Sequence, residues 1–300
     1  MYLVQDKMSE AEARIAALDG VVVALSGGVD SSLLLALAAR SLPPDKLVAV
    51  TAVGSVESEE DIDSARAISA RLKVSHECIT LDSLEIPGFA DNTPLRCYLC
   101  RGLLYQALDG IRARLGFAAV LDGAIAEDSQ DYRPGLQAAA EAGVLHPLAE
   151  AGFSKEEVRE ASRMLGLPTA ERPASPCLAS RFPYGEKITV EALRTVARAE
   201  EFLHGQGFPI VRVRHHDQGR LARIEVPADQ ISRLCEEPLR SEAAAALKRL
   251  GYAYVSLDLL GFRSGSLNEV LDLEAPAAAS DGVVQGDLRQ PGLLPRHQVL

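Results

Sequence analysis

The segment Ser26–Gly27–Gly28–Val29–Asp30–Ser31–Ser32 lies directly after the apolar run Val21–Leu25 and directly before Leu33–Leu37. A short β-rich run, two glycines and small hydroxyls leading into a helix predict a strand–loop–helix cradle for phosphate. Glycines let backbone N–H groups approach an anion closely, and the N-terminus of the following helix adds the positive end of its dipole. Ser31 and Ser32 fall where a helix start favours side-chain oxygens, so capping is their plainer role. No lysine of the GxxxxGK[ST] kind follows the glycines, which sets this loop apart from the usual γ-phosphate loop.

Strand and helix signals alternate through the first half of the chain. Val21–Leu25 reads as a strand, Ser31–Ser41 as a helix and Leu47–Val53 as a second strand. Ser58–Val74 opens on Ser–x–x–Asp and spaces Ile62, Ala65, Ile68 and Leu72 as one helical face. His76–Leu81 is a third strand, Tyr98–Leu115 a helix, Ala118–Leu121 a fourth strand, and Val144–Leu148 a fifth before a helix at Ser154–Leu165. This alternation implies an α/β fold with a parallel sheet covered on both faces, whose ligands bind beyond the carboxyl ends of the strands.

The pattern breaks between Pro168 and Thr189, a stretch with four prolines that reads as an interdomain linker. A helix at Val190–Gln206, strands at Ile210–His215 and Leu221–Val226, helices near Ala228–Cys235 and Ser241–Leu250, and a strand at Ala253–Asp258 follow. The expected organisation is an α/β domain over 1–170, an irregular segment over 171–189, a smaller α+β domain over 190–274 and an Ala/Gly/Pro-rich flexible tail over 275–300.

Composition narrows the partners. With 47% hydrophobic and 24% charged residues the chain is an ordinary globular protein, and its net charge of −11 argues against a broad nucleic-acid surface while leaving room for a local basic pocket. No apolar stretch approaches a membrane span, and the first residues are too acidic for a signal peptide. Five cysteines without such a segment point to a reducing cytoplasm, where thiols and metal ligands outnumber disulfides.

Cys97 and Cys100 form a C-x-x-C pair at a helix start, which serves equally a redox dithiol, half of a zinc site or part of an iron–sulfur site. Cys177, in the irregular linker, is the third member of interest. Followed by Ser180–Arg181, it offers a thiol beside a fixed cation. Cys78 and Cys235 sit in periodic segments and are expected to be packed thiols. Arg212 and Arg214 alternate with valines, so both leave one strand face, where they either fork a phosphate or form solvated surface pairs. Asp122, Asp128 and Asp131 follow the fourth strand. Carboxylates there can hold Mg²⁺ through water, with capping the alternative for Asp128.

The loop at Ser26–Ser32 resembles the pyrophosphate loop of PP-loop ATP pyrophosphatases, which cut ATP between the α- and β-phosphates and adenylylate a substrate. Joined to DYRPG at 131–135, PCLASRFPYG at 176–185, VRVR at 211–214 and DLLGFRSGSLN at 258–268, it is similar over nearly the whole chain to the ATP-dependent sulfur transferases of the LarE family. These make the organic part of the nickel-pincer cofactor used by lactate racemase. The resemblance implies a PP-loop (adenine nucleotide alpha hydrolase-like) domain followed by a smaller α+β domain. It also implies a cytoplasmic homo-oligomer, with a hexamer one option. The implied substrate is pyridinium-3,5-biscarboxylic acid mononucleotide, activated by ATP and Mg²⁺ as an acyl-adenylate, with sulfur then displacing AMP to leave a thiocarboxylate.

Residue by residue, the resemblance implies ATP binding by Ser26, Gly27, Gly28, Asp30, Ser31 and Ser32. It implies substrate-phosphate binding by Ser180, Arg181, Arg212 and Arg214, and catalytic roles for Asp30, Cys177 and Glu200. In single-cysteine members the thiolate of the residue matching Cys177 attacks the adenylate, and C–S cleavage then leaves dehydroalanine. Cys97 and Cys100 depart from that pattern and match relatives in which three cysteines hold a 4Fe–4S cluster with one open iron. The expectation is therefore a cluster on Cys97, Cys100 and Cys177, with Asp128 a candidate Mg²⁺ ligand. Thiolation of a tRNA base is a rival that would need a positive surface this acidic chain does not advertise.

Overall fold

In the computed structural model, residues 3–127, 134–263 and 265–269 are described. Those through 263 belong to one compact unit, and 265–269, part of another, make a turn in which Asn268 N–H donates to Gly265 C=O at 2.7 Å. The tail from 275 lies outside the described residues, as do Asp128 and the Asp131–Arg133 part of DYRPG.

Chain order is α1 (Val4–Ala16), β1 (Val21–Ala24), α2 (Val29–Ser41), β2 (Leu47–Val53), α3 (Glu59–Leu72), β3 (Ser75–Thr80), α4 (Arg96–Leu115), β4 (Ala119–Leu121), α5 (Pro134–Glu141), α6 (Pro147–Glu150) and α7 (Lys155–Met164). The four strands form one parallel sheet in the order β3-β2-β1-β4. Alternation along β1 explains why it is apolar throughout. Val21 and Val23 face α1, α2 and α7 through Ile15, Leu34 and Val158, while Val22 and Ala24 face α4 and α5 through Tyr105, Leu108 and Ala139. A sheet covered on both faces needs such continuous apolar strands. The α/β expectation therefore holds.

Two local expectations do not. Val144–Leu148 is no strand: only Leu145 bridges Leu121, because Pro147 lacks an N–H for a ladder and starts the one-turn α6 instead. The N-terminal α1 was not foreseen. Its apolar Met8, Ala11 and Ile15 are diluted by charge and become a face only once buried against α2.

The second half adds α8 (Val190–Gly205), β5 (Arg212–His216), β6 (Leu221–Glu225), α9 (Ile231–Cys235), α10 (Leu239–Arg249) and β7 (Tyr254–Leu257). These strands form a separate sheet, β5-β6-β7, antiparallel then parallel. Val213, Ala222 and Ile224 pack under α8, α9 and α10 with Leu203, Leu234 and Leu247. On the opposite face, Arg212 pairs with Glu225 and Arg214 with Arg223 across the strands.

Candidate active site

β1 ends at Ala24, and the chain turns through Ser26–Gly28 into α2, whose N-cap is Gly28. Gly27 has φ +79°, and a Cβ on it would lie 2.2 Å from the Asp61 carbonyl of α3, so only glycine fits. Its own carbonyl accepts from Ser64 Oγ at 2.8 Å and from Arg172 Nη1 at 2.7 Å. Ser31 and Ser32 do not cap. They lie in the first turn and donate to Gly28 C=O at 3.3 and 2.7 Å, and Ser31 Oγ accepts from Ser26 N–H at 3.2 Å. Helix numbering is the reason: the turn begins two residues earlier than the hydroxyl cluster suggests, so those hydroxyls brace the loop from within α2.

Asp30, in the same turn, is gripped by Lys155, whose Nζ lies 2.8 and 2.6 Å from its two oxygens. Lys155 opens α7, announced by the capping box in which Ser154 Oγ accepts from Glu157 N–H while Glu157 accepts from Ser154 N–H. That Ser–x–x–Glu signal was legible; the basic residue within it was missed. Asp122, just past β4, completes the mouth, since a Cβ on Gly123 would sit 2.8 Å from Ser31 N. Burial would raise the Asp122 carboxyl. Hydrogen bonds with His146 Nδ1 (2.6 Å) and Tyr105 Oη, together with the Arg101 charge, hold it down at about 2. The bond to Asp122 raises His146 in turn.

Cys97 and Cys100 lie in the first turns of α4, and Cys177 caps a 3₁₀ turn at Leu178–Arg181. Cys177 is exposed as a residue, yet the protein crowds its sulfur. That burial pushes the thiol up to about 11, opposed by the Arg96 and Arg181 charges and reinforced by Cys97 and Cys100. Burial also raises Cys100, whose Sγ lies 3.3 Å from Ser83 Oγ. The three thiols thus share one electrostatic neighbourhood. Among the described residues no three His, Cys, Asp or Glu side chains converge as a set that could hold a metal ion. The donor chemistry suits an iron–sulfur cluster, and holding one would require the sulfurs to draw together. Cys78 and Cys235, expected to be packed, are both exposed: β3 is an edge strand, and Cys235 ends the short α9.

Neither Arg212 nor Arg214 is a solvated surface arginine; both are about 5% exposed. Arg214 donates to Glu225 (2.7 Å) and to Ser180 C=O (2.9 Å), and Arg212 donates to the Val211 and Ala174 carbonyls. Arg181 forks Glu200 at 2.9 and 2.7 Å and donates to the Pro176 and Cys177 carbonyls. Glu200 Oε1 also accepts from Val213 N–H at 2.9 Å. These arginines therefore converge on the Cys177 segment. Burial first, then the charges of Arg181 and Arg214, lower Arg212 to about 10, which leaves it a cation near neutrality.

A parallel sheet with a glycine loop entering a helix, an aspartate in its first turn and thiols nearby defines a PP-loop enzyme of the ATP pyrophosphatase class. A family model for NAD synthase matches residues 3–87. The chain is 41% identical over 254 residues to the pyridinium-3,5-bisthiocarboxylic acid mononucleotide synthase of Lactiplantibacillus plantarum, covering 85% of this chain and 91% of that one. It is also 41% identical to an uncharacterized protein of Synechocystis sp., over 90% and 99% of the two chains. A tRNA-specific 2-thiouridylase of Rhizorhabdus wittichii matches 34% of this chain at 36% identity. The chain belongs to the LarE family and is an ATP-dependent sulfurtransferase. Among the described residues no helix is long and apolar enough to cross a membrane.

Proposed function

We propose that the enzyme converts carboxylates of pyridinium-3,5-biscarboxylic acid mononucleotide into thiocarboxylates for nickel-pincer cofactor synthesis, spending ATP as AMP and pyrophosphate. The observation that carries this reading is the convergence of Arg181, Arg212 and Arg214 on the segment bearing Cys177, joined to a PP-loop in one chain. Gly27, Gly28 and the α2 N-terminus would receive the pyrophosphate, with Ser26, Ser31 and Ser32 bracing the loop. Lys155 would exchange Asp30 for the phosphates, freeing Asp30 for Mg²⁺. Asp128, proposed alongside it, lies outside the described residues. Arg212 and Arg214, with Ser180 and Arg181, would fork the substrate phosphate, exchanging for it some of the main-chain carbonyls they hold here. Glu200 acts through Arg181 as a positioning residue.

Cys97, Cys100 and Cys177 would hold a 4Fe–4S cluster, which when bound supplies a sulfide as nucleophile. A second reading rests on Cys177 itself, whose carbonyl accepts from Arg181 Nη1 at 3.0 Å and whose thiolate the Arg181 charge favours against burial. Its thiolate attacks the acyl-adenylate carbon and AMP leaves with the electron pair. Removal of the Cα proton then breaks the Cβ–S bond, leaving a thiocarboxylate and dehydroalanine. Anaerobic iron and sulfide quantification, followed by intact mass after turnover, separates the two. Iron bound at Cys97, Cys100 and Cys177 with unchanged mass supports the cluster, and loss of one hydrogen sulfide per chain supports the sacrificial route. Absence of pyrophosphate release with the dicarboxylate would sink both. The chain is further proposed to act as a cytoplasmic homo-oligomer, which light scattering tests directly.

A further inference from the structure

Arg96 immediately precedes Cys97 in α4, yet its side chain runs away from solvent and is only 6% exposed. Its Nη1 donates to the Ala179 carbonyl, two residues beyond Cys177, at 2.8 Å, and to Asn92 Oδ1. Asn92, fully buried with φ +54°, donates in turn to the carbonyls of Phe182 (3.3 Å) and Pro183 (2.6 Å). The main chain continues the link: Gly185 N–H donates to Asn92 C=O, and Ile188 N–H to Ala90 C=O. The guanidinium also lies 5.4 Å from the Tyr184 ring centre. Phe89, Leu178, Ala179, Phe182 and Ile188 pack into one apolar cluster beneath, which Cys100 borders.

From this geometry we infer that Arg96 is a positioning residue of the sulfur site, a clasp that holds the Cys177 segment in register with Cys97 and Cys100. The inference rests on the reading that the three thiols act as one site. Nothing in a C-x-x-C pair and a cysteine about eighty residues later sets the distance between them, and the backbone around Cys177 is irregular. One planar cation anchored on the helix that carries the pair, and bonded to a carbonyl beside the third thiol, supplies that distance. A lysine keeps the charge but loses the planar fork and the stacking on Tyr184. The Arg96 Nε–H is buried with no acceptor among the described residues, so the bonds this side chain makes are those of its Nη1.

The test measures thiol-to-thiol reach. In the full chain carrying Cys100→Ser, a short bis-maleimide joins Cys97 to Cys177, both exposed, and the linked peptides are counted by mass spectrometry beside a thermal melt. Arg96→Met should lower the cross-link yield about fivefold or more while the protein still melts cooperatively, and Arg96→Lys should recover part of it. An unchanged yield in folded Arg96→Met overturns the inference. Should that variant fail to fold, Arg96→Lys decides alone: a loss of about half the yield supports the clasp, and parental yield overturns it. A parent with Arg96 intact that forms no link overturns the single-site reading itself, which separates that failure from the failure of the clasp.

Discussion

Lys155 Nζ bridges both carboxylate oxygens of Asp30, at 2.8 and 2.6 Å, across the mouth of the glycine loop. The pair joins the first turn of α2 to the first turn of α7, and each group is only part-buried. An ion pair of this exposure contributes little to stability, so the proposed phosphate role of Lys155 can be separated from a folding role. Lys155→Met should therefore slow pyrophosphate release about 10²-fold with a small change in melting temperature, and Lys155→Arg should fall between. A coupled pyrophosphate assay beside a melt checks both.

Gly27 and Gly28 are adjacent but unequal. A Cβ on Gly27 would strike the Asp61 carbonyl at 2.2 Å with φ at +79°, whereas one on Gly28 meets nothing nearer than Ser26 Oγ at 3.4 Å. Gly27→Ala should destabilise the fold by well over about 1 kcal/mol, and Gly28→Ala by less. Urea denaturation of the two variants side by side reads the contrast.

Asp122 and His146 give opposite pH slopes. Asp122, held at about 2, contributes stability above the ordinary carboxylate value that is lost as pH falls toward about 2. His146, raised by Asp122 and by Glu150 against burial and the Arg101 charge, contributes stability below the ordinary imidazole value that is lost as pH rises through its folded one. The pair therefore helps most between about pH 4 and about pH 6.5. The difference in melting temperature between wild type and His146→Ala should be largest below the ordinary imidazole value, near about pH 5.5, and should shrink as pH rises through the raised His146 value.

Arg181 and Glu200 are both nearly sealed from water, 3% and 5% exposed. Glu200→Ala leaves a buried guanidinium without its carboxylate and should cost about 3–5 kcal/mol. Glu200→Gln keeps the acceptor for Val213 N–H and should cost less. Equal losses in the two variants, measured by chemical denaturation, would show that the carboxylate charge, and not the side chain's shape or its acceptor for Val213 N–H, is what matters there.

Strong periodicity made most of the fold legible: the Val21–Ala24 strand, the α3 face through Ile62, Ala65 and Ile68, and the alternation around them all formed as spaced. Val144–Leu148 was misread because an apolar run carries no strand once Pro147 begins a turn. Cys78 and Cys235 were misread because periodic placement does not reveal an edge strand or a helix end. Within the candidate site, residue types were legible but partners were not. Arg212 and Arg214 looked alike on one strand face, yet one holds two carbonyls and the other a carboxylate and a carbonyl.

By itself the order of residues determined the glycine loop and its helix, because φ freedom, small hydroxyls and flanking apolar runs are local properties that a few neighbours dictate. It also determined where the thiols fall along the chain. Only the tertiary structure decided that Lys155 faces Asp30 from 125 positions away, and that Arg96 reaches across to the segment of Cys177. Such pairings arise where the core brings distant helix starts together. Burial then fixes each partner, since a guanidinium removed from water must find acceptors, and on the Cys177 segment it finds main-chain carbonyls.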